Sequence, residues 1–174
     1  MASGGFGMVD EHLRGKRILV VDDERELADM VAAILHGAGF ACVDVVHAGA
    51  EALAAIDSRA ASPERAYQLL VLDVMMPGMD GFELCRRSKA ELLTCHIPFL
   101  LLTAKGDEEN RAEGYSAGAD GYIAKPFSIK TLRTRVNSLI EQRIKLRERY
   151  RQKLLTDPSE IQIESENDKF IDTL

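Results

Sequence analysis

At 174 residues, 46% hydrophobic and 29% charged, the chain carries enough apolar material for one globular domain of roughly 100 to 150 residues with further segments attached. A formal net charge of -6 argues against general nucleic-acid affinity and favours proteins as partners. Cys42, Cys85 and Cys95 have no C-x-x-C spacing and no paired histidines beside them, and no apolar run is long enough to span a bilayer, so disulfide frameworks, zinc sites and membrane spans are excluded and a reduced cytoplasmic setting is expected.

Residues 1–15 open on a stretch, Met1 to Gly7, that bears Gly and Ser and lacks the basic and apolar halves of a signal peptide, and they read as a flexible leader. The first strand is expected at 18–21, followed by a helix on Leu27, Met30, Val31, Ile34 and Leu35 that Gly37 ends. A second strand at 41–46 and a helix at 50–56 lead into a polar, exposed loop at 57–65. The third strand is 69–72. A helix at 82–93 follows, opened by Asp80, whose carboxylate can accept from the first amides with Glu83 three residues on. The fourth strand is 99–102, the next helix runs over 108–117 to Gly118, and the fifth strand is 122–124.

The fifth helix starts near Ser128 and meets no Gly or Pro until Pro158, which makes it about 28 residues and about 40 Å long at about 1.5 Å per residue. Leu132, Val136 and Leu139 can pack on the sheet, whereas Leu146, Tyr150 and Leu154 continue the apolar stripe past any core the domain supplies. Something else must cover that stripe, so the helix is expected to be a dimer seam, giving a homodimer, or a connecting helix. The chain therefore divides into the leader, a compact domain at 16–140, a helical extension at 141–157, and an acidic segment at 158–174 that reads as a truncated linker.

Strands that are apolar on both faces, alternating with helices, imply a parallel sheet covered on both sides. Ligands of such sheets gather at the carboxyl ends of the strands, where Asp22 and Asp23, Asp73, Thr103, and Lys125 followed by Pro126 stand. Three carboxylates on one rim repel one another, and a hard divalent cation relieves them. Magnesium fits, because it needs few protein oxygens and leaves positions for phosphoryl oxygens. Asp73, on the central strand, is then the natural nucleophile toward phosphorus, with Lys125 and Thr103 stabilising charge on the oxygens in transfer.

Four runs carry a family resemblance: Val20-Val21-Asp22-Asp23-Glu24; Leu72-Asp73-Val74-Met75-Met76-Pro77-Gly78-Met79-Asp80-Gly81; Leu102-Thr103-Ala104; and Gly118-Ala119-Asp120-Gly121-Tyr122-Ile123-Ala124-Lys125-Pro126-Phe127. Together they resemble the receiver domains of two-component response regulators, across roughly Lys16 to Leu139. The resemblance implies an α/β, five-stranded, parallel doubly wound (flavodoxin-like) fold with an extended C-terminal helix. It also implies Asp73 as phosphoacceptor, and a Mg2+ site on Asp22, Asp23, Asp73 and the backbone carbonyl of Met75. Lys125 would pair with the phosphoryl group or the free carboxylate, while Thr103 and Tyr122 would form the switch. The Lys125–Pro126 bond would be cis, and Met75 and Lys105 would tune the phosphoryl lifetime.

The implied partner is a histidine kinase or phosphotransfer domain, and the domain is not an enzyme in the conventional sense. A narrower resemblance rests on Thr94-Cys95-His96-Ile97-Pro98, on the long helix, and on the segments from Pro158 to Ile161 and Asp168 to Ile171. These are similar to receivers of hybrid two-component proteins, in which an arabinose-regulator-type helix-turn-helix domain follows.

Two enzyme classes fail on single residues. A haloacid-dehalogenase-type phosphatase wants an acid two residues after its nucleophile, where Met75 stands, and a dinucleotide fold wants a Gly-rich turn where Asp22-Asp23-Glu24-Arg25 stands. An unphosphorylated receiver-fold dimerisation module would be expected to lack an acid or the lysine, and this chain has both. Arg143, Lys145, Arg147, Arg149, Arg151 and Lys153 do not form one helix face, so no direct nucleic-acid binding is expected of them. His12, His36, His47 and His96 show no ligand or triad spacing.

Overall fold

A computed structural model describes residues 9–104 and 108–156, the side chains of 108–110 excepted. Five strands, β1 (Arg17–Val21), β2 (Cys42–Val46), β3 (Leu69–Asp73), β4 (Phe99–Ala104) and β5 (Gly121–Lys125), form one parallel sheet in the order β2-β1-β3-β4-β5. Helices α1 (Glu11–Arg14), α2 (Arg25–Ala38), α3 (Gly49–Arg59), α4 (Gly81–Lys89), α5 (Glu108–Ser116) and α6 (Ile129–Thr156) complete the molecule. The expected fifth helix is thus α6, because a short helix precedes the first strand.

Side chains alternate across each strand, so every strand feeds two cores. Leu19, Val21, Leu70, Leu72, Phe99 and Leu101 meet α3 and α4 on one face. Ile18, Val20, Leu69, Val71, Leu100 and Leu102 meet α2 and the first three turns of α6 on the other, where Leu132, Val136, Leu139 and Ile140 are buried. Burial of each large apolar side chain stabilises the fold by about 1.5 to 3 kcal/mol. β3 is central and buried at every position, Asp73 included.

The local expectations differ from the structure at four places. Residues 9–15 are not a loose leader: Val9 N–H donates to the Ala38 carbonyl at 2.7 Å, and Leu13 is buried in the α2 and α6 core. Gly37 does not end α2. The helix runs to Ala38, and Gly39 takes the left-handed conformation (φ 110°) that lets Phe40 N–H reach the Leu35 carbonyl and bury the Phe40 ring. α3 continues through Asp57 to Arg59, and the loop after it ends on buried Ala66 and Tyr67. α4 stops at Lys89 rather than Leu93, because Thr94 Oγ1 donates to the Ser88 carbonyl and Lys89 Nζ to those of Cys95 and Ile97, which folds the chain into a tight turn.

Other expectations match. Asp80 accepts the Glu83 amide at 2.9 Å, Gly118 is left-handed at φ 100°, and α6 begins where Ser128 Oγ accepts the Thr131 amide. The segment 158–174 and Lys105 lie outside the described residues. No described helix is long and apolar enough to cross a membrane.

Candidate functional site

Because all five strands run the same way, their carboxyl ends share one rim, and register sets which side chains meet there. Val21 pairs with Leu72, Asp73 with Leu102, and Thr103 with Ala124, so the residues after β1, on β3, on β4 and on β5 converge. Carboxylate oxygens of Asp22, Asp23 and Asp73 lie within 4.8 Å of one another. Lys125 Nζ donates to Asp73 Oδ1 at 2.9 Å, and the Asp73 side chain is 9% exposed. Thr103 is buried at the end of the adjacent strand, β4.

Asp22 is the strained member of the group. It is 1% exposed, Oδ1 accepts the Glu24 amide at 2.9 Å, and Oδ2 is buried with no hydrogen-bond partner. Burial pushes its pKa up to about 6; the Glu24 amide opposes that rise, and the Asp73 charge adds to it. Three crowded carboxylates, one with an orphaned oxygen, fit a hard divalent cation such as Mg2+, whose ligands are oxygens. His47 Nδ1 lies 3.0 Å from the Asp22 carbonyl and Asp22 N–H donates to Val46, which ties the acidic turn to β2.

The family model of the response regulator receiver domain matches residues 18–137. The chain is a receiver domain of that family. It is 41% identical over 128 residues to the phosphate regulon transcriptional regulatory protein PhoB of Pseudomonas aeruginosa, covering 74% of this chain and 53% of that protein. To the transcriptional regulatory protein ResD of Bacillus subtilis it is 40% identical over 126 residues, covering 72% of this chain and 48% of that one. The chain therefore spans about half the length of these relatives. Among solved structures, the chemotaxis response regulator CheY4 of Vibrio cholerae matches with a TM-score of 0.64 at 31% identity, over 71% of this chain and 98% of that one. The receiver domain of the Francisella response regulator 1452 matches with a TM-score of 0.61 at 32% identity, over 73% of this chain and 98% of that one.

In this receiver domain the Lys125–Pro126 bond is cis, as the resemblance implied. Met75, two residues past Asp73, stands at the rim with 69% of its surface exposed, whereas Val74 and Met76 are buried beneath it. Tyr122 is 4% exposed, with its ring centroid 5.1 Å from that of Tyr115, its hydroxyl hydrogen-bonded to the Gly114 backbone and its pKa raised by burial to about 12.

Three glycines leave room around the receiver site that a side chain would fill. A Cβ on Gly114 would overlap the Tyr122 hydroxyl, so Gly114 makes the room in which that ring is buried. A Cβ on Gly81 would stand 2.7 Å from the Asp73 carbonyl, and one on Gly49 would stand 2.6 Å from that of Met79. Gly81 thereby lets α4 start directly against the end of β3, and Gly81 N–H donates to the Val74 carbonyl at 2.9 Å. Of the three, only Gly81, beside the capping Asp80, carried a sequence signal.

Proposed function

We propose that Asp73 accepts a phosphoryl group from a histidine kinase or phosphotransfer domain and that the event is passed on through the face made by α5, β5 and α6. The observation that carries this reading is the Asp73 carboxylate itself, buried at the end of the central strand, with one oxygen on Lys125 and the Asp22 and Asp23 carboxylates beside it. One Asp73 oxygen bonds to phosphorus while the phosphorus–nitrogen bond of the donor's phosphohistidine breaks. The imidazole nitrogen keeps the electron pair and takes up a proton. Asp22, Asp23, Asp73 and the Met75 carbonyl would hold Mg2+, which when bound neutralises the crowded carboxylates and the phosphoryl oxygens.

The remaining residues divide the work. Lys125 exchanges its ion pair with the free carboxylate for one with the phosphoryl group, and Thr103 donates its hydroxyl to a phosphoryl oxygen. Movement of Thr103 is coupled to the position of the Tyr122 ring, so a single covalent charge biases a two-state element. The domain promotes its own phosphorylation and hydrolysis and is not an enzyme in the conventional sense. Met75 at the rim hinders attacking water, which makes self-dephosphorylation slow.

Relatives named as transcriptional regulators support a transcriptional output in a longer parent acting in the cytoplasm, the arabinose-regulator type being the form suggested by the segments near Pro158. α6, whose apolar stripe continues past the core through Leu146 (42% exposed), Tyr150 and Leu154, is the homodimer seam in this reading and does not itself read nucleic acid.

Intact-protein mass after incubation with Mg2+ and acetyl phosphate tests the proposal. One added phosphoryl group on the parent, missing from Asp73→Ala and abolished by a chelator, is the expected result. An unlabelled parent under conditions that label another receiver, or an Asp73→Ala variant labelled as fully as the parent, would overturn it.

A further inference from the structure

At the opposite end of the sheet from Asp73, the amino ends of the strands and α6 enclose a cavity of about 120 Å³. Its walls include Lys16, Tyr67, His96, Ile140, Arg143 and Arg147, and none of the residues lining it is an acid. Three cations around one small space repel one another, and a partly buried guanidinium is normally matched by a carboxylate. Arg143 is only partly exposed, yet among the described residues it makes no ion pair or hydrogen bond, and the same holds for Lys16 and Arg147. His96 Nδ1 is buried there without a partner.

The carboxylate that acts on Arg143, Asp120, lines the neighbouring cleft instead and is already engaged by Lys89 at 3.0 Å and by the Phe99 amide at 2.8 Å, so the cavity itself holds cations with no anion among them. Burial and the nearby Arg143, Arg147 and Lys89 charges push the His96 pKa down to about 4, so near neutral pH its ring is a neutral donor or acceptor rather than a fourth cation. The body of the cavity is apolar. The Tyr67 hydroxyl is already engaged by Asp44 at 2.6 Å, which leaves its ring and Ile140 as walls. A cavity of about 150 Å³ accepts benzene, so the body that fits is about one ring in size.

We propose that this cavity binds a small organic anion, a carboxylate or a phosphate monoester on a body of one ring, with Arg143 and Arg147 holding the anionic group and Lys16 completing its charge. The walls come from both the receiver core and α6, so the ligand would fix the helix to the core. It would act as a second input to the domain, remote from the phosphoacceptor.

A titration of the full ¹⁵N-labelled chain followed by NMR tests this, with phenyl phosphate, benzoate, inorganic phosphate and neutral benzyl alcohol as probes. Saturable shifts are expected at the Lys16, Gln68 and His96 amides, with phenyl phosphate or benzoate binding at least about tenfold more tightly than benzyl alcohol or inorganic phosphate. Preference for phenyl phosphate identifies the phosphate-ester arm, and preference for benzoate the carboxylate arm. Arg143→Gln is expected to weaken the preferred anion about tenfold or more, with acetyl phosphate labelling of Asp73 and the amide spectrum away from the cavity unchanged. Binding of benzyl alcohol as tight as that of the anions, equal binding of inorganic phosphate, shifts confined to the Asp73 rim, or no saturable shift would each overturn the proposal.

Discussion

Asp22 sits where folding and chemistry disagree. Its carboxylate is buried, one of its oxygens has no hydrogen-bond partner, and two further carboxylates crowd it, opposed by the Lys125 charge. Asp22→Asn removes that repulsion, so without divalent metal it is expected to stabilise the fold by about 1 kcal/mol, or about 3 °C in melting temperature. Thermal melts in EDTA and in Mg2+ check this: the variant gains in the first, and the advantage shrinks or reverses in the second.

His96 makes the opposite kind of demand. Its folded pKa lies near 4, below the ordinary 6.5, so the unfolded chain takes up the proton first as pH falls. The stability contributed by the neutral ring is complete above pH 6.5 and is lost progressively between 6.5 and about 4. His96→Gln is expected to flatten the pH dependence of the melting temperature across that window. Only the first of these residues was legible in the sequence. Asp22 follows an apolar run directly and declares its place on the rim, whereas His96 owes its condition first to burial and then to Arg143 and Arg147, which are distant in the chain.

At the level of elements, the helices meet the sheet through glycines whose purpose appears only in three dimensions. Gly114→Ala is expected to expel the Tyr122 ring from its buried place. Spectrophotometric titration checks this: burial holds both Tyr67 and Tyr122 up to about 12, and in the variant Tyr122 alone is expected to move toward 10, leaving one high-titrating tyrosine where the parent has two. Gly81→Ala presses on backbone at Asp73 and Val74, which cannot turn aside as a side chain can, and is expected to cost about 1 to 3 kcal/mol in chemical denaturation.

The strands were legible because their apolar runs are bounded by acids, Gly or Pro, and each lies within a few residues of its expected position. Helix ends were less so. Gly37 and Gly39 are equally plausible stops in one dimension, and the burial of Phe40 decides between them. The early end of α4 depends on Thr94 and Lys89 capturing carbonyls that a sequence pattern does not display.

For the whole molecule, alternation of strands and helices was enough to give a doubly wound sheet, and the parallel arrangement then brings Asp22, Asp23, Asp73, Thr103 and Lys125 to one edge. The cavity at the other edge was illegible, because Lys16, His96 and Arg143 converge from three remote stretches. Assembly is tested at this scale. Light scattering is expected to report a dimer when the chain is phosphorylated, and Leu146→Asp with Leu154→Asp is expected to return it to a monomer while Asp73 is still labelled. A monomer with and without phosphorylation would remove the homodimer from the proposed function.

One feature of α6 has mechanical meaning. The helix is continuous from Ile129 to Thr156, with its first three turns clamped in the core and Ile144 still touching it. From Ile144 to its end it extends a further 18 Å or so at about 1.5 Å per residue. A rigid rod pivoted in this way behaves as a lever. A tilt of about 10° at the clamped end sweeps the tip through about 3 Å over that length, so a repacking beside β5 too small to disturb the sheet still displaces whatever the far end carries.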